Sequence, residues 1–135
     1  MSTPKVTLLA VIVEIKGGEK VRLELPFMVK NPTVRLPEGA EYRTIFEVRV
    51  DSGNVTGLRG ILTIKRAGIK VDKIDQRFGN LEPDDQPHLL CFDWGESPSG
   101  LVARSGSYNV QSRLICDEDG GVVANVEWSF KLCKG

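Results

Sequence analysis

The chain has 135 residues, 41% of them apolar, with 18 lysines and arginines against 18 aspartates and glutamates. That length suits one domain over residues 1–135 and buries a core without disulfide or metal staples, so the composition excludes a disordered chain. Zero net charge gives no support to a general nucleic-acid binder, although it leaves room for local charged patches.

The first apolar run, Val6 to Val13, is too short for a membrane span. The Glu14-Ile15-Lys16-Gly17-Gly18 that follows offers no signal-peptide cleavage site, so the run reads as a buried strand. Strands are predicted at Val6–Ile15 and Lys20–Leu25 around the Gly17-Gly18 turn, and a short one at Val34–Leu36. Glu41 to Val50 alternates: Tyr42, Thr44, Phe46, Val48 and Val50 share one face, and Ile45 breaks the polar face opposite. Leu58–Lys65 and Ser107–Ile115 are rich in β-formers, and short strands are predicted at Ile69–Ile74 and His88–Phe92. Gly79–Pro87 is a polar surface loop with room for one helical turn. Val122 to Cys133 alternates most regularly, with Val122, Ala124, Val126, Trp128, Phe130 and Leu132 on one side. Seven to nine short strands separated by turn clusters predict an all-β, immunoglobulin-like two-sheet sandwich.

No constellation supports an enzyme. The single histidine, His88, has no sequence-evident nucleophile or carboxylate partner. Cys91, Cys116 and Cys133 are an odd, widely spaced set, which reads as free thiols in a reducing compartment and carries no metal-ligand spacing. Asp117-Glu118-Asp119 begins like a calcium loop. Its fifth and twelfth positions hold Gly121 and Trp128, however, so it reads as a solvated hairpin turn. Phosphate-binding glycine motifs are absent, and no cofactor is expected. Asn54-Val55-Thr56 matches a glycosylation triplet but lacks the secretory context that would make it used.

Six words in order resemble the Rho GDP-dissociation inhibitor family. They are Glu38-Gly39-Ala40-Glu41-Tyr42-Arg43, Val55-Thr56-Gly57-Leu58, Arg66-Ala67-Gly68-Ile69-Lys70-Val71-Asp72-Lys73, Pro98-Ser99-Gly100-Leu101-Val102-Ala103-Arg104, Gly106-Ser107-Tyr108 with Ser112-Arg113, and Glu127-Trp128. Val126 stands where the family carries the first tryptophan of its W-E-W word, and Ser105 adds a residue before Gly106. The family's N-terminal arm, which grips the GTPase and blocks nucleotide release, has no counterpart ahead of the first predicted strand.

The resemblance implies a cytoplasmic, non-enzymatic partner of prenylated Rho-family GTPases that holds the isoprenoid tail between its sheets, without stable membrane insertion. Without the arm, weak inhibition of nucleotide release is expected. By resemblance Tyr42, Leu58, Val110 and Trp128 lie near the isoprenoid pocket. Phe46, Val48, Ile61, Leu90, Phe92 and Phe130 are further inward-facing candidates, each of which could equally be ordinary core. Asp93, Glu96, Asp117, Glu118 and Asp119 are the acidic residues placed to attract the GTPase's basic segment. A broader prenyl- or acyl-tail carrier for other lipidated proteins is the alternative, and a filled interaction sandwich is the third reading.

Overall fold

The computed structural model describes residues 5–116 and 121–134. Ten strands and one helical turn follow in order: β1 (Lys5–Ile15), β2 (Lys20–Glu24), β3 (Thr33–Pro37), β4 (Glu41–Ser52), β5 (Val55–Arg66), β6 (Ile69–Leu81), β7 (His88–Cys91), β8 (Gly95–Glu96), α1 (Leu101–Arg104), β9 (Ser107–Cys116) and β10 (Gly121–Cys133). One sheet runs β2-β1-β4-β7 with β8 also on β4, and the other runs β3-β10-β9-β5-β6. The pairing is antiparallel except for β3 beside β10. This is the all-β sandwich the alternation predicts.

The apolar run of β1 carries an irregularity. A register shift between Leu8 and Ala10 against β4 leaves Ala10 and Val11 both fully buried. The core is built from the inward rows: Val11 and Val13, then Phe46, Val48 and Val50, then Leu58, Leu62 and Ile64. Val110, Leu114, Trp128, Phe130 and Leu132 complete it from β9 and β10.

Four details depart from the sequence reading. β6 runs to Leu81, past the predicted Ile74, because it ladders along almost all of β5. The helical turn falls at Leu101–Arg104 rather than in the loop after Gly79. A register shift between Val122 and Ala124 turns Val122 outward, 58% exposed, and packs Val123 on the core. Ile61, expected to face inward, is buried on the outer face beside Asp75 and Arg113, because Leu58, Leu62 and Ile64 take the inner side.

Glycine is required at one inner position. A Cβ on Gly60 would sit 2.5 Å from Phe92 Cζ and 2.8 Å from Phe78 Cε2, so two rings occupy the space over its backbone. Phe92 meets Phe78 and Phe46 edge to face, at ring separations of 5.2 and 5.0 Å.

Candidate functional site

The two sheets part along the edge where β6 faces β8. Each is an edge element: β6 pairs only with β5, and β8 is held to β4 by two residue pairs. An inner cavity of about 60 Å³ lies there, with Tyr42, Leu62, Phe92, Val110 and Trp128 in its wall. An outer cavity of about 250 Å³ adjoins it, walled by Tyr42, Ile64, Val71, Tyr108 and Phe130. Tyr42, Ile64, Asp72 and Glu96 line both, so the two form one slot divided at Tyr42.

Its apolar walls are fixed by ring contacts and hydrogen bonds. Tyr108 and Phe130 stack at 4.8 Å and 8°, and Trp128 lies 6.3 Å from Phe130. Trp128 Nε1 donates to Ser112 Oγ at 3.0 Å, which satisfies both polar groups in a buried place and fixes the indole. Arg66 closes one end: its guanidinium stacks over the Tyr108 ring at 5.1 Å and donates to Tyr108 Oη at 2.8 Å. It also donates to the Val102 and Ala103 carbonyls and to Ser105 Oγ, tying α1 to β5. On the other side Ser97 Oγ donates to the Pro37 carbonyl and accepts from the Ala40 amide, while Arg104 pairs with Glu38. The segment from Gly95 to Arg104 is thereby strapped across the end of the sandwich as one lip of the slot.

Carboxylates outnumber guanidiniums at the rim, where Arg43, paired with Glu14, lines the inner cavity and Arg66 the outer one. Asp72, Asp93 and Glu96 all line the inner cavity, and Asp72 and Glu96 reach the outer one. Burial pushes the Tyr42 phenol up to about 12, and the nearby Asp72 carboxylate adds to the shift. Tyr42 is therefore a neutral hydroxyl in an apolar wall over the whole physiological range. Chemically the arrangement suits an extended apolar chain whose attached group is cationic.

The structure brings Tyr42, Phe92, Val110 and Trp128 together in the inner cavity and adds Phe130 in the outer one, with Asp93 and Glu96 at the rim. Phe46, Val48, Leu58 and Leu90 are buried core residues that line neither cavity, and Ile61 lies on the other side of its sheet. Asp117, Glu118 and Asp119 lie outside the described residues. Sequence reasoning missed Leu62, Ile64, Tyr108, Ile74 and the acidic Asp72. Leu62 and Ile64 were legible by strict alternation from Leu58. Asp72 was not, because a register shift after Ile64 sets which β6 residues face inward.

The sequence matches, over residues 1–135, the family described as RHO protein GDP dissociation inhibitor. Rho GDP-dissociation inhibitor 1 of Bos taurus is 34% identical over 105 residues, covering 78% of this chain and 50% of that protein. Rho GDP-dissociation inhibitor 1 of Arabidopsis thaliana is 31% identical over 99 residues, with 73% and 40% covered. The Schizosaccharomyces pombe Rho GDP-dissociation inhibitor is 30% identical over 99 residues, with 73% and 47% covered. The chain thus spans half or less of the length of these relatives. Among solved structures, a Bacteroides uniformis beta-glucuronidase superposes with a TM-score of 0.58 at 14% identity, over 89% of this chain and 12% of that one. At that identity the likeness shows the β-sandwich fold alone. On the match across all its residues, the chain belongs to the RHO protein GDP dissociation inhibitor family.

Proposed function

We propose that the chain binds the geranylgeranyl tail of a Rho-family small GTPase in the slot between its sheets and so keeps the lipidated GTPase in the cytosol. The observation that carries this reading is an apolar intersheet slot, rimmed by carboxylates, opening between two edge strands. A 20-carbon isoprenoid gains about 0.8 kcal/mol for each CH₂ group it buries, so a protein slot competes with a bilayer only by burying most of the chain. The inner and outer cavities, about 60 and 250 Å³, together only reach the bottom of the roughly 300–1,000 Å³ typical of small-molecule pockets, and the inner part alone is too small for an isoprene chain. Tail entry therefore requires β6 and the β8 lip to part. Their edge positions let this happen without breaking any ladder between central strands.

The carboxylates account for selectivity. Exposed ion pairs contribute of order 0–1 kcal/mol each, so Asp72, Asp93 and Glu96 would steer a basic segment more than anchor it. Among the described residues the one helix is the four-residue α1. Weak inhibition of nucleotide release by these residues is part of this proposal, to be read in a nucleotide-release assay on the lipidated complex.

Geranylgeranyl-cysteine peptides, with and without a lysine-rich segment, test the reading by titration. Both are expected to bind. The basic one binds up to about tenfold tighter at low salt, and Asp93→Asn with Glu96→Gln erases the difference. Equal affinity for both peptides in the unmodified chain would favour a general carrier of lipid tails. No uptake of either would refute the slot.

A further inference from the structure

The outer faces of the two sheets differ in how their charges are satisfied. On the β2-β1-β4-β7 sheet the arginines and Lys20 are paired within the face: Arg43 and Lys20 with Glu14, Arg22 with Glu24 and Glu47, and Arg49 with Asp51. The β3-β10-β9-β5-β6 sheet is different. Strand alternation places Arg35, Lys131, Arg113, Arg59, Lys65, Lys70, Lys73 and Arg77 on its outer side, against Glu127 and Asp75. Arg59 pairs with Asp75. Arg35, Lys65, Lys70, Lys73, Arg77, Arg113 and Lys131 have no ion-pair partner among the described residues. The zero net charge of the chain thus conceals one strongly basic face.

The cations concentrate toward the β5–β6 turn. Lys65 is the register partner of Lys70, and Lys73 is opposite Thr63 two steps along the ladder. The same corner exposes large apolar side chains: Ile69 at 69%, Val71 at 53%, and Leu101 and Val102 at 77% each. Arg66, the register partner of Ile69, holds α1 to this corner through the Val102 carbonyl.

We propose that this face docks on an anionic bilayer surface, with Lys65, Lys70 and Lys73 on the lipid headgroups and Ile69, Val71, Leu101 and Val102 at the headgroup boundary. Lysines and arginines beside apolar residues are the combination that binds membrane interfaces. A nucleic acid fits less well. Five strands at about 4.8 Å spacing make a face roughly 19 Å wide, too broad for a major groove of about 12 Å. Nor does this face carry an exposed aromatic for base stacking, since the exposed Trp94 belongs to the segment between β7 and β8 on the other sheet. Val71 lines the outer cavity, so docking by this corner brings the β6 edge of the slot near the bilayer. That consequence for tail loading rests on the tail-binding reading; docking itself does not.

Co-sedimentation with vesicles free of prenylated protein separates the two. The unmodified chain is expected to bind phosphatidylcholine vesicles containing about one-third phosphatidylserine at low salt, and to release at high salt. Each lysine near an anionic surface is worth roughly fivefold, so Lys65→Gln, Lys70→Gln and Lys73→Gln together should weaken binding by about 100-fold. Lys70→Glu with Lys73→Glu, both at exposed positions, gives a second variant with minimal risk to folding. Lys16→Gln with Lys20→Gln, on the opposite sheet, should leave binding unchanged. Equal binding to pure phosphatidylcholine, retention of binding in both lysine variants, or tighter binding to duplex DNA than to vesicles would overturn the proposal.

Discussion

Gly60→Ala probes the packing that shapes the slot, and its sign is set by two opposed effects. Gly60 lies within β5 and its φ is not positive, so alanine alone would favour the folded state by about 0.4–1 kcal/mol through the unfolded chain. Against that, the added Cβ would sit 2.5 Å from Phe92 Cζ and 2.8 Å from Phe78 Cε2. Overpacking of this kind costs about 1–3 kcal/mol. Phe92 cannot retreat toward Phe46, which already meets it edge to face at 5.0 Å. The free space beside it is the inner cavity of about 60 Å³. A net loss of about 1–2 kcal/mol is expected, seen as a urea midpoint lower by roughly 0.5–1 M. Because Phe92 moves into the slot, affinity for a geranylgeranyl peptide should fall as well. A stabilised variant would refute the reading of the ring packing. A destabilised variant with full tail affinity would remove Phe92 from the slot wall.

Two more outcomes follow from the same geometry. The Tyr42 phenol is held at about 12 in the folded chain, so the folded state keeps its proton while the unfolded state releases it. The resulting stability is complete below about pH 10 and is lost as pH rises through about 12, by up to roughly 2–3 kcal/mol; Tyr42→Phe should flatten the urea midpoint across that range. Arg66→Ala removes the donor shared by Tyr108 Oη, Ser105 Oγ and the Val102 and Ala103 carbonyls. Hydrogen exchange at the Arg104 and Ser105 amides should accelerate while the β9 core stays protected, and unchanged exchange there would show that α1 is held by other contacts.

Period-two patterning was enough to find most strands, because a half-buried sheet imposes it on every residue. It failed where the ladder slips. Val122 and Val123 exchange sides at a register shift in β10, and nothing in two adjacent valines says which one packs inward. Ile61 is apolar on an outward position, so composition drew it toward the core while its neighbours Gly60 and Leu62 occupied the inner side. β8 is two residues long and is defined by pairing with Glu41 and Tyr42, a long-range contact with no local signature. The candidate site was legible in part: of the residues named from alternation and family words, Tyr42, Phe92, Val110, Trp128 and Phe130 line its two cavities. Alternation cannot separate a residue that lines a slot from one that fills the core, which is why Phe46, Val48, Leu58 and Leu90 were grouped with them.

The tail-binding account is tested most directly by a structure of the chain with a geranylgeranylated peptide bound. The account predicts β6 and the β8 lip moved apart, with the isoprenoid running past Tyr42 against Val110 and Trp128. An unaltered sandwich, with Phe92 and Trp128 still closing the interior and the lipid lying elsewhere, would contradict it.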